Sequence, residues 1–257
     1  MRNSILGPAV VLLAVVVLGT SWSAARAETF AGTNVDSRVI VGVKADPAAV
    51  QAFMPDGWAP IGFPRGPLKD ANLLVSFVDG MLMLDAQGKA LDPASRRAVV
   101  FLGLGKQVDG DGVRIFVLRT YSTEPPGTDP YGVNVPADVS RTTSISGPAD
   151  GGRTSLDSWK LTLGDDALEM TLNHTTGNRV WSASEAKSFS AANPDFYRIY
   201  RYDSLTDVVM SGAMGKPLTG TYALSSSIAD LAAIFDGSEE TVAILDIPVR
   251  VREIFLP

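Results

Sequence analysis

Acid–base or nucleophilic chemistry has few places to go in this chain. His174 is its only histidine. It stands at the end of a strand-patterned run, before Thr175-Thr176-Gly177, where an imidazole that ionises near neutrality suits a general base. Lys160 is the one lysine set inside a strand-patterned run, beside Trp159 and flanked by Leu161 and Leu163. Buried there, its amine would serve as a nucleophile or a carboxylate anchor. The plainer readings are a turn histidine and a lysine pointing to water. Arg114 and Arg119 share one run and fall on opposite faces by strict alternation, so one of them faces inward; a buried Arg119 would take an anionic ligand. Trp181, Phe196, Tyr197, Tyr200 and Tyr202 supply either the walls of a pocket or a core.

Several chemistries are excluded. The chain has no cysteine, so disulfides, thiolate metal sites and a cysteine nucleophile are absent. One histidine cannot make a two-histidine metal site, and Asp109 and Asp111 read as part of a tight turn, since no bidentate glutamate follows at the distance a calcium loop requires. We therefore expect no metal and no cofactor. There is no Gly-x-Ser-x-Gly elbow, no His-Glu-x-x-His and no phosphate loop, and Gly103-Leu104-Gly105 lacks the third glycine of a dinucleotide fingerprint.

The N-terminus carries an address. Arg2 gives a basic start, an apolar run extends from Ile5 to Leu18, and Ala25-Arg26-Ala27 places small residues where a signal peptidase reads. Residues 1–27 read as a cleaved signal peptide and 28–257 as one mature domain, periplasmic or secreted, without stable membrane insertion. Of 22 basic residues the leader removes Arg2 and Arg26, leaving 20 against 28 acidic ones, a net charge of −8. That acidity argues against nucleic acid as a partner, because phosphate binding needs clustered lysine and arginine.

The elements that must position these residues are mostly strands. Alternation or β-branched runs predict strands over Ser37–Lys44, Asn72–Val78, Met81–Leu84, Arg97–Leu104 and Val113–Thr120, with Asp109-Gly110-Asp111-Gly112 as a hairpin turn. Others fit Ser158–Leu163, Ala167–Leu172, Phe196–Tyr202, Asp207–Met210, Gly220–Leu224, Thr241–Leu245 and Val249–Phe255. Asp46-Pro47 opens a short helix with Asp46 as cap, and Gly57–Lys69 reads as irregular. Ile228–Phe235 reads as a second helix, with Ser227 and Asp230 as a capping box and Gly237 as its stop. Ser122–Gly132 is a proline-rich loop, expected as a lid over a cavity mouth. So many strands with so few helices must close to protect their edges, which gives a mainly β (α+β) barrel or sandwich with short peripheral helices.

Two segments carry a family resemblance: SRVIVGVKADPAAVQAFMPDGW from Ser37, and EAKSFSAANPDFYRIYRYD from Glu185 to Asp203. In these, and in the order of elements, the chain resembles the acetoacetate decarboxylase-like superfamily. The resemblance implies an antiparallel cone-shaped β-barrel with an internal cavity. It also implies a Gly-Arg-Glu followed by Pro-Lys-Lys, one lysine forming a Schiff base and its neighbour lowering its pKa. The match here is Ser140-Arg141-Thr142 and Pro148-Ala149-Asp150; the arginine and proline remain and the lysines do not, which argues against imine chemistry at this position. The resulting expectation is an exported barrel that binds a small, partly apolar carbonyl or carboxylate compound, with Arg119, Arg141 and Trp181 as ligand contacts. The alternative is a lyase, isomerase or hydrolase acting on such a compound through Lys160 or His174 without an imine. The residues leave open which of the two holds, and whether the chain forms a homo-oligomer.

Overall fold

The computed structural model describes residues 27–124, 129–148 and 152–257. Residues 1–26 of the expected signal peptide, the middle of the proline-rich loop and the Ala149-Asp150 pair lie outside the described residues.

Seven strands form a closed ring. They are β3 (Leu73–Asp85), β1 (Thr29–Lys44), β13 (Glu240–Leu256), β11 (Tyr197–Ser211), β10 (Val180–Ser190), β5 (Val113–Ser122) and β4 (Arg96–Gln107), and β4 pairs with both β3 and β5. The short strands β2 (Trp58–Ile61) and β6 (Asn134–Pro136) flank β4 and β5. A second sheet has the order β12 (Gly220–Ser226), β9 (Asp166–Thr175), β8 (Thr154–Leu163), β7 (Asp138–Ser146). The barrel is mixed, not wholly antiparallel: β10 pairs parallel with β5, and so does β6. Parallel neighbours need a long crossover, and between β5 and β10 the β7–β9 excursion into the second sheet supplies it.

Which way each strand faces follows from β13. Val249 and Val251 are exposed while Arg250 and Ile254 are buried with no second sheet over them, so the latter point into the barrel. Asp36 pairs with Arg250, but Val39 pairs with Asp246. Three residues of β1 thus span four of β13, and the extra residue is a bulge at Pro248, which has no N–H to give the ladder. The bulge switches faces: Asp246 points outward beside Val39, to the side carrying the second sheet. There Val39, Val41, Val43, Phe77 and Ile244 pack against Trp159, Leu161, Leu168, Met170 and Leu172 in one core, and the Phe77 and Trp159 rings lie 5.7 Å apart.

Local expectations hold where local chemistry decides. Asp46 caps α1 (Pro47–Gln51), its carboxylate accepting from the Ala48 N–H at 2.9 Å. The 109–112 turn joins β4 to β5, with the Gln107 N–H bonded to the Gly112 carbonyl. Trp58–Ile61, inside the stretch expected as irregular, forms β2 against β4, and two further expectations are corrected. The helix over Ile228–Phe235 is a single 3-10 turn at Ala229–Leu231 followed by turns. Its buried residues, Ile228, Leu231 and Ile234, recur every third position, the 3-10 period, and Ser227 bonds Ala167 across to β9 instead of forming a capping box. Second, Arg119 does not oppose Arg114. β5 bulges at Leu118, where Phe101 pairs with Arg119 and Leu102 with Val117, and this brings Arg119 onto the same face as Phe116 and Arg114.

Candidate functional site

The structure separates the sequence candidates. Lys160 alternates with the buried Asp157, Trp159 and Leu161 of β8 and therefore faces solvent, paired to Glu169 across the hairpin at 2.7 Å with about half of each side chain exposed. Trp181 is 55% exposed on the outer face of β10. The Arg119 guanidinium lies over Phe53 at 5.7 Å and reaches Asp230 at 3.5 Å, on the helix side of the barrel wall. None of the three meets the others. His174 and Arg141, by contrast, both face a polar layer between the two sheets, where Asp157 bonds Arg141 and its charge acts on His174.

Arg141, on the edge strand β7, forms a two-pronged contact with Asp157: Nε at 2.9 Å and Nη2 at 2.6 Å. Its Nη1 reaches across to the barrel, donating to Ser37 Oγ and lying 3.3 Å from Asp79. The flat face of the guanidinium lies 5.0 Å from the Trp159 ring. Although burial works against the charge, these partners hold Arg141 more firmly protonated than usual. One side chain thus ties the small sheet to β1 and β3.

His174, on β9, is 2% exposed, and neither ring nitrogen has a hydrogen-bond partner among the described residues. Its Nε2 is 3.8 Å from Asp246 of β13, too far for a hydrogen bond. Asp207 of β11, Asp157 of β8 and Arg179 also act on it. Arg179 contacts Asp246 at 3.4 Å, and Asp207 holds Lys216 at 3.5 Å and the Gly177 N–H. Burial pushes the imidazole below its ordinary value of 6.5, against the pull of Asp246 and Asp207, and burial likewise pushes the Asp246 carboxyl up. Unfolded His174 therefore takes a proton before the folded one does, and its contribution to stability is present above the ordinary value and lost as pH falls through the folded one. Asp246, its value raised, acts in the opposite sense nearer its ordinary 3.8. We expect denaturation midpoints to fall more steeply for the wild type than for His174→Gln between about pH 7 and pH 5.5. Parallel curves would show that His174 does not titrate in that window. Among the described residues no group of three or more His, Asp or Glu is arranged to hold a metal ion.

A second cluster, inside the barrel, was not legible in the sequence. Asp36 and Arg38 of β1 form a buried pair, Arg38 Nη2 to Asp36 Oδ2 at 2.6 Å. Beside it lie Arg250 and Arg252 of β13, neither of which makes an ion pair among the described residues; both Nε atoms lack a hydrogen-bond partner. Arg250 stacks on Tyr202 at 3.5 Å and Arg252 on Tyr200 at 4.6 Å. Three guanidinium groups thus face one carboxylate. Burial, with Arg38 and Arg252 close by, pushes Arg250 down to about 9, while Arg38 and its neighbours hold Asp36 below its ordinary value in spite of burial. An apolar group adjoins the charges: Val117, Val133, Ile254, Tyr200 and Tyr131, the two tyrosine hydroxyls 2.6 Å apart. Tyr131 comes from the far end of the proline-rich loop, where the Asp129 carboxylate accepts from the N–H groups of Tyr131, Val133 and Asn134. At its near end Glu124 pairs with Arg96.

No protein-family model matches this chain, and no curated protein matches it in sequence. Solved structures do. The enduracididine biosynthesis enzyme MppR complexed with pyruvate superposes with a TM-score of 0.57 at 12% identity, over 91% of each chain. The same enzyme with the condensation product of pyruvate and imidazole 4-carboxaldehyde gives 0.55 at 14% identity, over 97% of this chain and 96% of that one. An acetoacetate decarboxylase-like enzyme from Sphingomonas wittichii RW1 gives 0.57 at 12% identity, over 88% of this chain and 90% of that one. Shared over nearly the whole length, the closed barrel and its companion sheet show that this chain has the acetoacetate decarboxylase-like fold.

Proposed function

We propose that this protein is an exported binder of a small, partly apolar organic acid, held inside the barrel by Arg250 and Arg252, and that it performs no lysine-imine chemistry. One observation carries the reading: the buried Arg250 and the half-buried Arg252, neither in an ion pair among the described residues, stand beside an apolar cluster. A buried cation without a counter-charge is costly, and a carboxylate ligand would supply that counter-charge in charge-assisted hydrogen bonds. The apolar side chains suit the rest of such a molecule. The likeness to an enzyme solved with pyruvate supports the ligand class. Against an imine stands the sequence itself: Pro-Ala-Asp occurs at 136–138 and again at 148–150, and Pro-Lys-Lys nowhere. Export rests on residues 1–27.

The test is a thermal-shift titration of the 28–257 protein with pyruvate, acetoacetate and longer 2-oxo acids, since a ligand that binds only the native state raises its melting point. Saturable stabilisation is expected, with no mass adduct on any lysine after borohydride treatment. An adduct would overturn the claim that imine chemistry is absent. The intact mass of the exported protein should begin at Glu28. The second reading, a lyase, isomerase or hydrolase, places acid–base chemistry on His174 with Asp246. The unpartnered ring nitrogens of His174 favour it; under it the ligand lies between the two sheets and not in the barrel, and His174→Gln would abolish its turnover without abolishing its binding.

A further inference from the structure

At one end of the barrel the termini of β1, β13 and β11 open onto a cleft of about 720 Å³ that the buried arginines do not reach. Its walls carry Lys44, Lys69 and Lys216, with Asp70 and Glu240 at the same opening. Three of the chain's seven lysines therefore line one cleft, on a protein that is acidic overall. Lys44 and Lys69 make no ion pair among the described residues, whereas Lys216 is held by the buried Asp207 at 3.5 Å.

The walls are built, not frayed. Ser211 and Lys216 exchange both backbone hydrogen bonds at 2.9 Å, closing a stub whose turn uses Gly215 at φ 63°. Ser211, itself fully buried, donates its hydroxyl to the Pro67 carbonyl at 2.8 Å. That bond fastens the stub to the opposite wall, the 62–71 segment that presents Lys69. In that segment Asp70 adopts φ 71°, a left-handed conformation uncommon outside glycine, and is kept there by bonds between Phe63 and residues 70 and 71. Such local strain persists where the surroundings over-determine it, and it concentrates at ligand sites.

We propose that this cleft is a second ligand site, separate from the barrel, for a small sugar-like molecule bearing one anionic group. Lysines act as point charges that receive a phosphate or a carboxylate without the planar match an arginine needs. The Asp70 and Glu240 carboxylates accept hydrogen bonds and would repel a second anionic group, so they suit neighbouring hydroxyls. The volume falls in the ordinary range for small-molecule pockets, about 300–1,000 Å³.

The probes are glucose 6-phosphate, glucuronate and glucose, titrated calorimetrically into the 28–257 protein at low salt. One or both anionic sugars should bind saturably, at least about tenfold more tightly than glucose, and the tighter of the two identifies the anion as phosphate or carboxylate. Lys44→Met/Lys69→Met should weaken that binding at least about tenfold, with an unchanged circular dichroism spectrum and unchanged pyruvate stabilisation. Arg250→Met should leave it intact. The proposal is overturned if neither anionic sugar saturates, if glucose binds equally well, if the double variant binds as the wild type does, or if Arg250→Met removes sugar and pyruvate binding together. The last outcome would place both ligands in the barrel.

Discussion

Replacing Asp157 with alanine should cost about 3–5 kcal/mol of folding stability, the usual penalty for leaving one member of a buried ion pair behind. The Arg141 guanidinium is 10% exposed and donates two hydrogen bonds to the Asp157 carboxylate. Without that carboxylate it would keep only Ser37 and an Asp79 already engaged by Arg97 at 3.2 Å. Because Arg141 sits on the edge strand of the small sheet and bonds to the barrel, the loss should also loosen the contact between the sheets. Urea denaturation measures the effect. The double variant Asp157→Leu/Arg141→Met should recover most of the loss, since apolar replacement of a whole buried pair is often neutral. A loss under about 1 kcal/mol in the single variant, the size of an exposed pair, would mean that the layer is hydrated and flexible.

Arg250→Met should separate binding from stability. If Arg250 anchors a carboxylate, its removal should weaken pyruvate or acetoacetate about 10- to 100-fold, the worth of one charged hydrogen bond. The melting temperature in the absence of ligand should hold or rise, because a buried guanidinium that makes no ion pair among the described residues and is crowded by Arg38 and Arg252 is replaced by an apolar side chain of similar length. The stacking on Tyr202 at 3.5 Å offsets part of that gain. Arg252→Met should behave alike. Wild-type affinity in both variants would remove the barrel arginines from the binding site.

Residue order alone makes the β class of the fold legible, along with most strand positions, the Asp46 cap and the 109–112 hairpin. Each of these depends on neighbours a few residues apart, and period-2 alternation or a turn glycine survives whatever the rest of the chain does. The same is true of the missing lysine pair, which is a matter of residue identity. Facing was not legible. The strand expected over Val249–Phe255 came with no assignment of faces, and in the structure Val249 and Val251 are exposed while Arg250 is 9% exposed inside the barrel. The bulge at Pro248 set that orientation by adding one residue between Asp246 and Arg250, and the bulge at Leu118 moved Arg119 in the same way. One inserted residue reverses every side chain beyond it, and whether a strand bulges depends on its partners, β1 and β11, which lie far away in sequence. For the same reason β10, eleven residues of mostly small and polar type, carries no strand pattern of its own and becomes a strand by pairing along β11 and, at its end, with β5. His174 and Arg141 were visible as residue types, and Asp157 meets them from the neighbouring strand β8 of the small sheet, but that Asp246, Asp79 and Ser37 would meet them was decided by two sheets packing face to face, because those contacts join positions that lie far apart in sequence and on different sheets.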